Sequence, residues 1–558
     1  MLLCCLPCSD LCFDMTLFAK SDSSALFGAR KSAPVLGGLP AWALLWWVMV
    51  LPNRLGDWFA GTWFGLPLEL VLLGLALYPA GAWGRRVCRL ASLVIVAALC
   101  LKLADIATDQ AFGRPFNPVL DYRFPADGWH WLAGSLGSVG AASVVALLLA
   151  LPVGLLLFAH RLLAGVQGQL RRAPGRGIAL LAAGSALWLG MRLVGVPFAT
   201  QPLTDLLAIH GHSICHSLAD AEDFQRQLAD DPASGIPDAE LLAKLRGRDV
   251  LLVFVESYGR TVLDRADYAE RIRPLLARGQ KRLTERGWHT ASAYLTSPTY
   301  GGISWLAHGS LLSGLRIDNQ SRYDRLVMSR HVSLNRWFRR AGWRTVAVQP
   351  AHTMAWPQGE YFGYDKIYAA QDLGYRGPPF NWITMPDQYT LAALGRFELG
   401  PGQRVPLMAE IALISSHAPW TPLPVLVDWQ AVGDGEIFAQ ARRGDAPETV
   451  WQSTERIRDQ YCQAVAYSLE TLISFVLEFG DDRLVLLIVG DHQPLSFVSG
   501  DSASRDVPAH LISRDPVLVA AAKDWHWSPG ILPDPAAPVE GMETLRAHWL
   551  KSFSGERE

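Results

Sequence analysis

The sequence predicts a bundle of about five transmembrane helices followed by an extracytoplasmic α/β domain. Half of the 558 residues are hydrophobic and the mean hydropathy is +0.16, too apolar for an ordinary soluble enzyme and too charged for a membrane bundle alone. Long apolar runs dominate the chain up to about residue 200, and short runs rich in Val, Ile and Leu follow from about residue 245. These patterns predict a cytoplasmic segment at 1–33, a membrane domain at 34–198, a linker with short helices at 199–244 and an α/β domain at 245–558.

The membrane domain is predicted from five apolar runs, each near the roughly 20 residues that a bilayer-spanning helix needs. Five such runs in succession, with few internal charges, argue against buried core helices. The first run also lacks the flanks and the cleavage site of a simple signal peptide. The runs cover residues 34–52, 58–82, 87–106, 131–158 and 177–198.

The basic residues between these runs predict the orientation. Lys and Arg cluster before the first run, between the second and third, and between the fourth and fifth, at Arg30, Lys31, Arg85, Arg86, Arg89, Arg161, Arg171, Arg172 and Arg176. The positive-inside rule then places the N-terminus in the cytoplasm. An odd number of crossings puts the α/β domain outside the cytoplasm, in the periplasm if the cell has an outer membrane.

Charge and cysteine content bound the partners. The formal net charge of −2 gives no basic bias towards nucleic acid. Four of the eight cysteines crowd the first twelve residues, where they are candidates for metal binding, although Met15 is an alternative start. Cys215 and Cys462 could pair in an oxidising compartment.

Polar side chains follow the predicted strands at one edge of the sheet. The runs "RDVLLVFVES", "LMAEIALISSH" and "DRLVLLIVGDH" resemble buried parallel strands, as does "WRTVAVQP". The first three end on Glu256, on His417, and on Asp491 and His492. Ligand sites in α/β sheets lie at the carboxyl ends of strands, and mixed oxygen and nitrogen ligands suit a divalent cation such as Zn²⁺ or Mn²⁺.

The segment "SPTYGGISWLAHGSLLSGL" (297–315) supplies the candidate nucleophiles. Ser304 lies where a helix is predicted to begin, after a Gly-rich turn. Serine is a common N-cap residue, and a helix N-terminus also favours an anion such as a phosphoryl group. Thr299 and Ser297 are the alternatives, and the sequence leaves the choice open.

Seven motifs occur in order between residues 245 and 500 and carry a family resemblance. They are "FVES", the Gly/Ser turn, "AWPQGEYFGYDKIY", "MPDQY", "SSHAPW", "QYCQAVAYSLETL" and "VGDHQP". The pattern resembles the alkaline phosphatase and sulfatase superfamily. Within it, the pattern is most similar to the membrane-bound branch of lipoteichoic acid synthase and the phosphoglycerol and phosphoethanolamine transferases. That branch has five membrane helices before its catalytic domain, which implies a sulfatase-like domain at 245–558.

The resemblance implies roles for individual residues. Glu256, Asp491 and His492 correspond to metal ligands, and the nucleophile maps onto the turn at Ser304, whose hydroxyl would join the metal site. The spacing to "LLSG" favours Ser304, whereas the spacing from the preceding Tyr294 points to glycines that cannot serve. His417 and Trp356 match substrate-contacting positions.

The chain also departs from the family pattern. The synthases carry Arg two residues after the Trp of "AWPQ", where this chain has Gln358. Arg260, Arg344 and His352 are candidates to replace it, and His510 is a further candidate ligand or substrate contact. The residues after Ser304 are "WLAH" rather than the xPxR that formylglycine sulfatases require, which disfavours that chemistry.

These observations predict a membrane-embedded, metal-dependent phosphotransferase. The donor would be a phospholipid or another phosphoester, the acceptor an envelope glycan or lipid, and the reaction would pass through a phosphorylated hydroxyl. One alternative is a sulfatase or phosphatase acting on a soluble ester. Another is a metal-free, membrane-tethered binding module. A transporter is disfavoured, because the spans carry few internal charges and the second half would have no role.

Overall fold

The computed structural model describes residues 39–54, 64–79, 81–112, 114–122, 124–172, 174–353, 356–380, 383–400, 404–500 and 503–555. The predicted cytoplasmic segment and its cysteine cluster lie outside these residues. The chain divides into two compact units. The first comprises 1–51, 62–100 and 142–204, and the second comprises 52–61, 101–141 and 205–558.

The described part of the N-terminal region contains five apolar helices, as predicted, but their lengths differ from the predicted runs. By length and composition, three contain stretches able to cross a membrane: Ala82–Gln110, Leu136–Arg172 and Pro174–Val194. The second helix of the chain, Leu68–Leu77, is too short to span a bilayer on its own, because Pro67 and Pro79 confine it to ten residues. The helices are α1 (Leu39–Val50), α2 (Leu68–Leu77), α3 (Ala82–Phe112), α4 (Phe124–Arg172) and α5 (Pro174–Val194).

Inside the first unit the apolar faces of these helices pack together. Leu45, Leu77 and Leu163 are almost fully buried in one hydrophobic cluster. A short parallel ladder of β1 (Leu66–Pro67) and β2 (Ala199–Thr200) joins the start of α2 to the end of this region. Helix α4 has 49 residues and contains a non-helical residue at Gly137, so it extends well past the predicted run 131–158.

The predicted linker 199–244 contains one long α-helix followed by short 3₁₀ helices. The long helix, α6 (Pro202–Ala229), has 28 residues. Asp220 on α6 accepts a hydrogen bond of 2.8 Å from the guanidinium of Arg322, which ties the helix to the α/β domain within the second unit. The turn-rich segment after α6 forms a 3₁₀ turn capped by Asp231.

The α/β domain is built on a sheet of nine strands among the described residues. Its strand order is β10-β4-β9-β8-β3-β7-β5-β6, with β11 also beside β4, and strands β8, β3, β7, β5 and β6 run parallel. The strands are β3 (Asp249–Val255), β4 (His289–Thr296), β5 (Arg344–Gln349), β6 (Lys366–Ala369), β7 (Leu407–Leu413), β8 (Leu484–Gly490), β9 (Asp506–Ser513), β10 (Ser528–Pro529) and β11 (Glu540–Gly541).

Helices cover both faces of this sheet, which explains why its central strands are apolar throughout. Alternate residues of β3 enter two separate cores: Leu251, Val253 and Val255 belong to one, and Leu252 and Phe254 to the other. The first core includes residues of α8 (Ala266–Glu285), α13 (Asp387–Glu398) and α15 (Thr454–Phe479). The second includes residues of α9 (Ser304–Ser313), α11 (Leu334–Arg340), α17 (Pro516–Ala520) and α18 (Thr544–Phe553).

Shorter helices complete the domain. They are α7 (Thr261–Asp264), α10 (Gln320–Val327), α12 (Gly359–Phe362), α14 (Pro447–Val450) and α16 (Ser496–Ser499). Helix α15 is long and apolar enough to span a membrane by composition, but most of its apolar window is buried inside the domain. Cys215 is exposed and Cys462 is buried, and both are free thiols, so the two do not pair.

Candidate metal and phosphoester site

Three neighbouring parallel strands deliver the polar residues of the site. Strand β3 lies between β7 and β8, so the carboxyl ends of the three strands are adjacent. Glu256 follows β3, His417 follows β7, and Asp491 with His492 follows β8. The site therefore forms at the sheet edge where α/β proteins bind ligands.

Glu256, Asp491 and His492 form a compact, buried cluster. One ligand atom from each lies within 4.8 Å of the others. His492 Nε2 is 3.2 Å from Glu256 Oε1 and 3.8 Å from Asp491 Oδ2. Two carboxylates and an imidazole at these distances form a donor set that fits one divalent cation.

Backbone groups hold these side chains in place. The backbone N–H groups of Ser257 and His492 each donate a hydrogen bond of 2.7 Å to Asp491 Oδ1. His492 Nδ1–H donates to the carbonyl oxygen of Gln493 at 2.8 Å, which leaves Nε2 as the nitrogen available to a metal. Ser257 adopts a left-handed conformation (φ 55°), which turns the chain sharply after Glu256.

Two hydroxyls contact this cluster: Ser257 Oγ donates a hydrogen bond of 2.8 Å to Glu256 Oε1, and Ser304 contacts both Glu256 and His492. Ser304 Oγ is 3.0 Å from Glu256 Oε2 and 3.2 Å from His492 Nε2. Ser304 is the first residue of α9, and the N-cap is Ile303, whereas the sequence suggested Ser304 itself as the cap. Ile303 has φ 64°, a costly conformation for a β-branched residue, and such strain is typical of functional sites.

The two alternative hydroxyls point elsewhere. Ser297 Oγ donates a hydrogen bond of 2.5 Å to the carbonyl oxygen of Asp491, and it accepts one of 3.2 Å from the backbone N–H of Thr299. The Thr299 hydroxyl lies 3.5 Å from Ser297 Oγ and is buried. These two residues support the strand end that carries Asp491, and the geometry favours Ser304 over both as the nucleophile.

Burial and mutual charge shift the proton affinities of the cluster in opposite directions. Burial and then the charge of Glu256 raise the pKa of Asp491 to about 7. Burial alone would lower the pKa of His492, but Asp491 and Glu256 raise it to about 9. Burial would likewise raise the pKa of Glu256, but His492 above all lowers it well below its usual value. Without metal at neutral pH, the cluster therefore holds protons that a cation must displace.

We expect metal affinity to increase with pH as these protons leave. Between pH 7 and pH 9 one proton, that of His492, remains to be displaced. The association constant for Mn²⁺ should therefore rise about tenfold per pH unit there, more steeply below pH 7 and little above pH 9. Competition with a fluorescent chelator measures this, and an affinity that does not change between pH 7 and pH 9 would contradict it.

A cavity of about 270 Å³ opens beside Ser304 and Glu256. It is lined by Trp356 and His417, the two predicted substrate contacts, and by His352, a candidate to replace the arginine of the synthases. His417 is exposed, with its Nδ1–H directed to the carbonyl oxygen of Ala418. The cavity thus exposes the Ser304 hydroxyl together with Glu256 and Asp491 of the cluster.

Other predicted contacts lie away from this cavity. Arg260 is held by Asp264 and Asp506, and its guanidinium lies 4.2 Å from the centre of the Tyr294 ring. Its charge is therefore already engaged. Arg344, at the start of β5, forms two hydrogen bonds of 2.8 Å with Glu398. Gln358 does not line this cavity either.

His510 also lies outside the cavity, inside the sheet. It is on β9, where Tyr258 and Ser292 bond its two ring nitrogens at 3.0 and 2.8 Å. Burial lowers its pKa to about 3, so the ring is neutral. These contacts give His510 a role in the core, rather than the ligand or substrate contact that the sequence suggested.

Asp387, in the motif "MPDQY", supports the loop that carries His417. Its buried Oδ1 accepts hydrogen bonds of 2.9 Å from the backbone N–H groups of Ile414 and Ser415. Its Oδ2 accepts one of 2.6 Å from the Ser468 hydroxyl on α15. The motif thus fixes the course of the chain after β7.

The cavity also contains a polar group that the sequence did not predict. His308 and Glu410 both line it, with His308 Nδ1 at 2.7 Å from Glu410 Oε1, and the Tyr364 hydroxyl donates to the other carboxylate oxygen. Glu410 is the middle residue of the seven-residue apolar strand β7. A lone acid inside such a strand was the signal that could have identified the group.

The family model for sulfatases matches residues 248–526, half of the chain. Among curated proteins, the comparison finds no match. Solved structures similar to this chain include the lipoteichoic acid synthase LtaP from Listeria monocytogenes, with 14% identity, 58% of this chain and 76% of that chain covered, and a TM-score of 0.36. The phosphoglycerol transferase GacH from Streptococcus pyogenes is 13% identical, with 60% of this chain and 81% of that chain covered and a TM-score of 0.37. The C-terminal periplasmic domain of EptC from Escherichia coli is 14% identical, with 58% of this chain and 84% of that chain covered and a TM-score of 0.36.

Proposed function

The chain belongs to the sulfatase family, and we propose that it is a membrane-embedded, metal-dependent phosphotransferase of the phosphoglycerol or phosphoethanolamine type that acts outside the cytoplasm. One observation carries the proposal: the Ser304 hydroxyl contacts both Glu256 and His492 at the first turn of a helix. The lack of an xPxR sequence after Ser304 supports phosphoryl rather than sulfuryl chemistry. The apolar N-terminal helices favour a phospholipid donor over a soluble one.

In the proposed mechanism Glu256, Asp491 and His492 hold a divalent cation, either Mn²⁺ or Zn²⁺. When bound, the cation would lower the pKa of a nearby hydroxyl and offset charge on phosphoryl oxygens. Ser304 Oγ forms a bond to phosphorus as the bond to the donor's alcohol breaks, which yields a phosphorylated serine. Glu256, 3.0 Å from Ser304 Oγ, accepts the hydroxyl proton.

The second half of the reaction regenerates the serine. An acceptor alcohol, such as an envelope glycan or lipid, attacks phosphorus and displaces Ser304 Oγ, which takes back its proton from Glu256. His417, at the mouth of the cavity, donates a proton to the leaving alcohol in the first step and accepts one from the attacking alcohol in the second. Water as acceptor would make the same residues a hydrolase.

A direct test uses the full chain in lipid nanodiscs. Incubation with Mn²⁺ and fluorescent phosphatidylglycerol or phosphatidylethanolamine should release labelled diacylglycerol, and Ser304→Ala protein should release none. Turnover of a chromogenic sulfate ester without lipid turnover would instead identify a sulfatase. No turnover of any ester, together with no bound metal, would leave a membrane-tethered binding module.

A further inference from the structure

The cavity beside Ser304 has no obvious cation for a phosphoryl group. Among the residues that the structure places on its walls, none is Lys or Arg. A phosphoryl group carries negative charge on oxygens that a single metal ion does not fully cover, and phosphoryl sites therefore usually include a basic side chain. Three imidazoles line this cavity, at His308, His352 and His417. They are the candidates for the basic side chain that contacts the phosphoryl group.

His308 differs from the other two in having a buried carboxylate partner. Glu410 is 1% exposed, and its Oε1 lies 2.7 Å from His308 Nδ1. A buried carboxylate needs hydrogen-bond donors, and the structure places His308 Nδ1–H and the Tyr364 hydroxyl against Glu410. This contact ties the His308 ring to a buried carboxylate.

The orientation of the His308 ring is also fixed. It stacks on Phe254 with 3.7 Å between ring centroids and 14° between the planes. Because Nδ1 bonds to Glu410, the free edge of the ring is Nε2, which has no hydrogen-bond partner within the described part of the chain. His308 lies one helical turn after Ser304 on α9, and both residues line the same cavity.

The other two imidazoles are poorer candidates. Burial, with the charge of His308 as a second cause, lowers the pKa of His352, so this ring is neutral. His417 is exposed, and the structure pairs its Nδ1 with a backbone carbonyl rather than with a carboxylate. Among the described residues, neither ring has the direct hydrogen bond to a carboxylate that orients His308.

We infer that His308, oriented by Glu410, binds an oxygen of the transferred phosphoryl group through Nε2–H, and so takes the place of the arginine that Gln358 does not supply. This inference rests on the proposed function, because it assigns a substrate contact within that site. Glu410 acts as the positioning residue, and Tyr364 holds its second oxygen.

The test measures binding of inorganic phosphate to the full chain by calorimetry, with and without saturating Mn²⁺. His308→Gln should weaken phosphate binding by about tenfold to a hundredfold, the loss expected for one charge-assisted hydrogen bond, with Mn²⁺ content unchanged. Glu410→Gln should weaken it by a smaller factor, and the double variant should be no weaker than His308→Gln alone. His308→Lys, which keeps the charge, should restore most of the affinity.

The chain provides a matched control in a second histidine–glutamate pair. His548 Nε2 lies 2.5 Å from Glu540 Oε2, and neither residue lines the cavity, so His548→Gln should leave phosphate binding unchanged. Three results would overturn the inference. The first is unaltered phosphate affinity in His308→Gln protein that still binds Mn²⁺. The others are loss of Mn²⁺ from that variant and a wild type that binds no phosphate. A wild type that binds no Mn²⁺, but loses phosphate affinity on His308→Gln, would reject the proposed metal chemistry and keep the inference. If His308→Gln does not fold, Glu410→Gln decides, with unchanged affinity as the overturning result.

Discussion

Replacing Ser304 with alanine is expected to abolish turnover of the phosphoester donor while leaving the metal content unchanged. The hydroxyl is the only part of the side chain that the proposed reaction uses. It contacts Glu256 and His492, which should keep their own positions when it is removed. Loss of a nucleophile typically lowers kcat by about a thousandfold or more. Steady-state assays with labelled phospholipid, alongside metal analysis of the same preparation, measure both quantities.

The matched variant is Thr299→Ala, which removes the alternative hydroxyl. Thr299 contacts Ser297 rather than the metal cluster, so kcat should stay within a few-fold of the wild type. Rapid acid quench followed by peptide mass spectrometry should find the donor's phosphoryl group on Ser304. Loss of activity in Thr299→Ala protein but not in Ser304→Ala protein would reverse the assignment of the nucleophile.

The second large effect concerns the metal itself. Glu256→Ala and Asp491→Asn should each reduce bound Mn²⁺ or Zn²⁺ from about one ion per chain to a trace, because a donor set of three ligands does not tolerate the loss of a carboxylate. Asp491→Asn is the more informative change. Its side-chain oxygen can still accept the hydrogen bonds from Ser257 and His492 that hold the strand end.

Thermal unfolding separates loss of metal from loss of fold. A chelator should lower the Tm of the wild type, because a bound ion at a thousand times its Kd stabilises the folded state by about 4 kcal/mol. The Tm of Asp491→Asn protein should not respond to chelator. Glu398→Gln, which alters a carboxylate paired with Arg344 away from the cavity, serves as the control and should keep its metal. Full metal content in Asp491→Asn protein would show that the cation binds elsewhere.

The class of fold and the residues at the strand ends could be predicted because both depend on local patterns. Apolar strands that end on Glu256, Asp491 and His492 meet at one sheet edge whatever the remaining packing, and the structure does bring these side chains together. Their roles as ligands remain predictions, as does that of Ser304 as nucleophile.

Other features depend on packing that no local pattern carries. His308 and Glu410 are 102 residues apart, and their contact requires a particular rotation of α9 over one face of the sheet. Arg260 looked available, but Asp264 and Asp506 already occupy its guanidinium. The place of His510 depends on strand β9. As an antiparallel strand between β4 and β8, it directs that ring into the core.

The Ser304–His308 turn of α9 has a consequence for how this enzyme could diversify. The Ser304 oxygen and the His308 imidazole one turn further on belong to a single helix that packs against the central strands, so neither can shift without the other. Trp356 and His352, by contrast, belong to the connection between β5 and β6. Selection for a new donor or acceptor could therefore act on that connection alone, because changes there would alter the shape of the cavity without disturbing the spacing of the reacting groups.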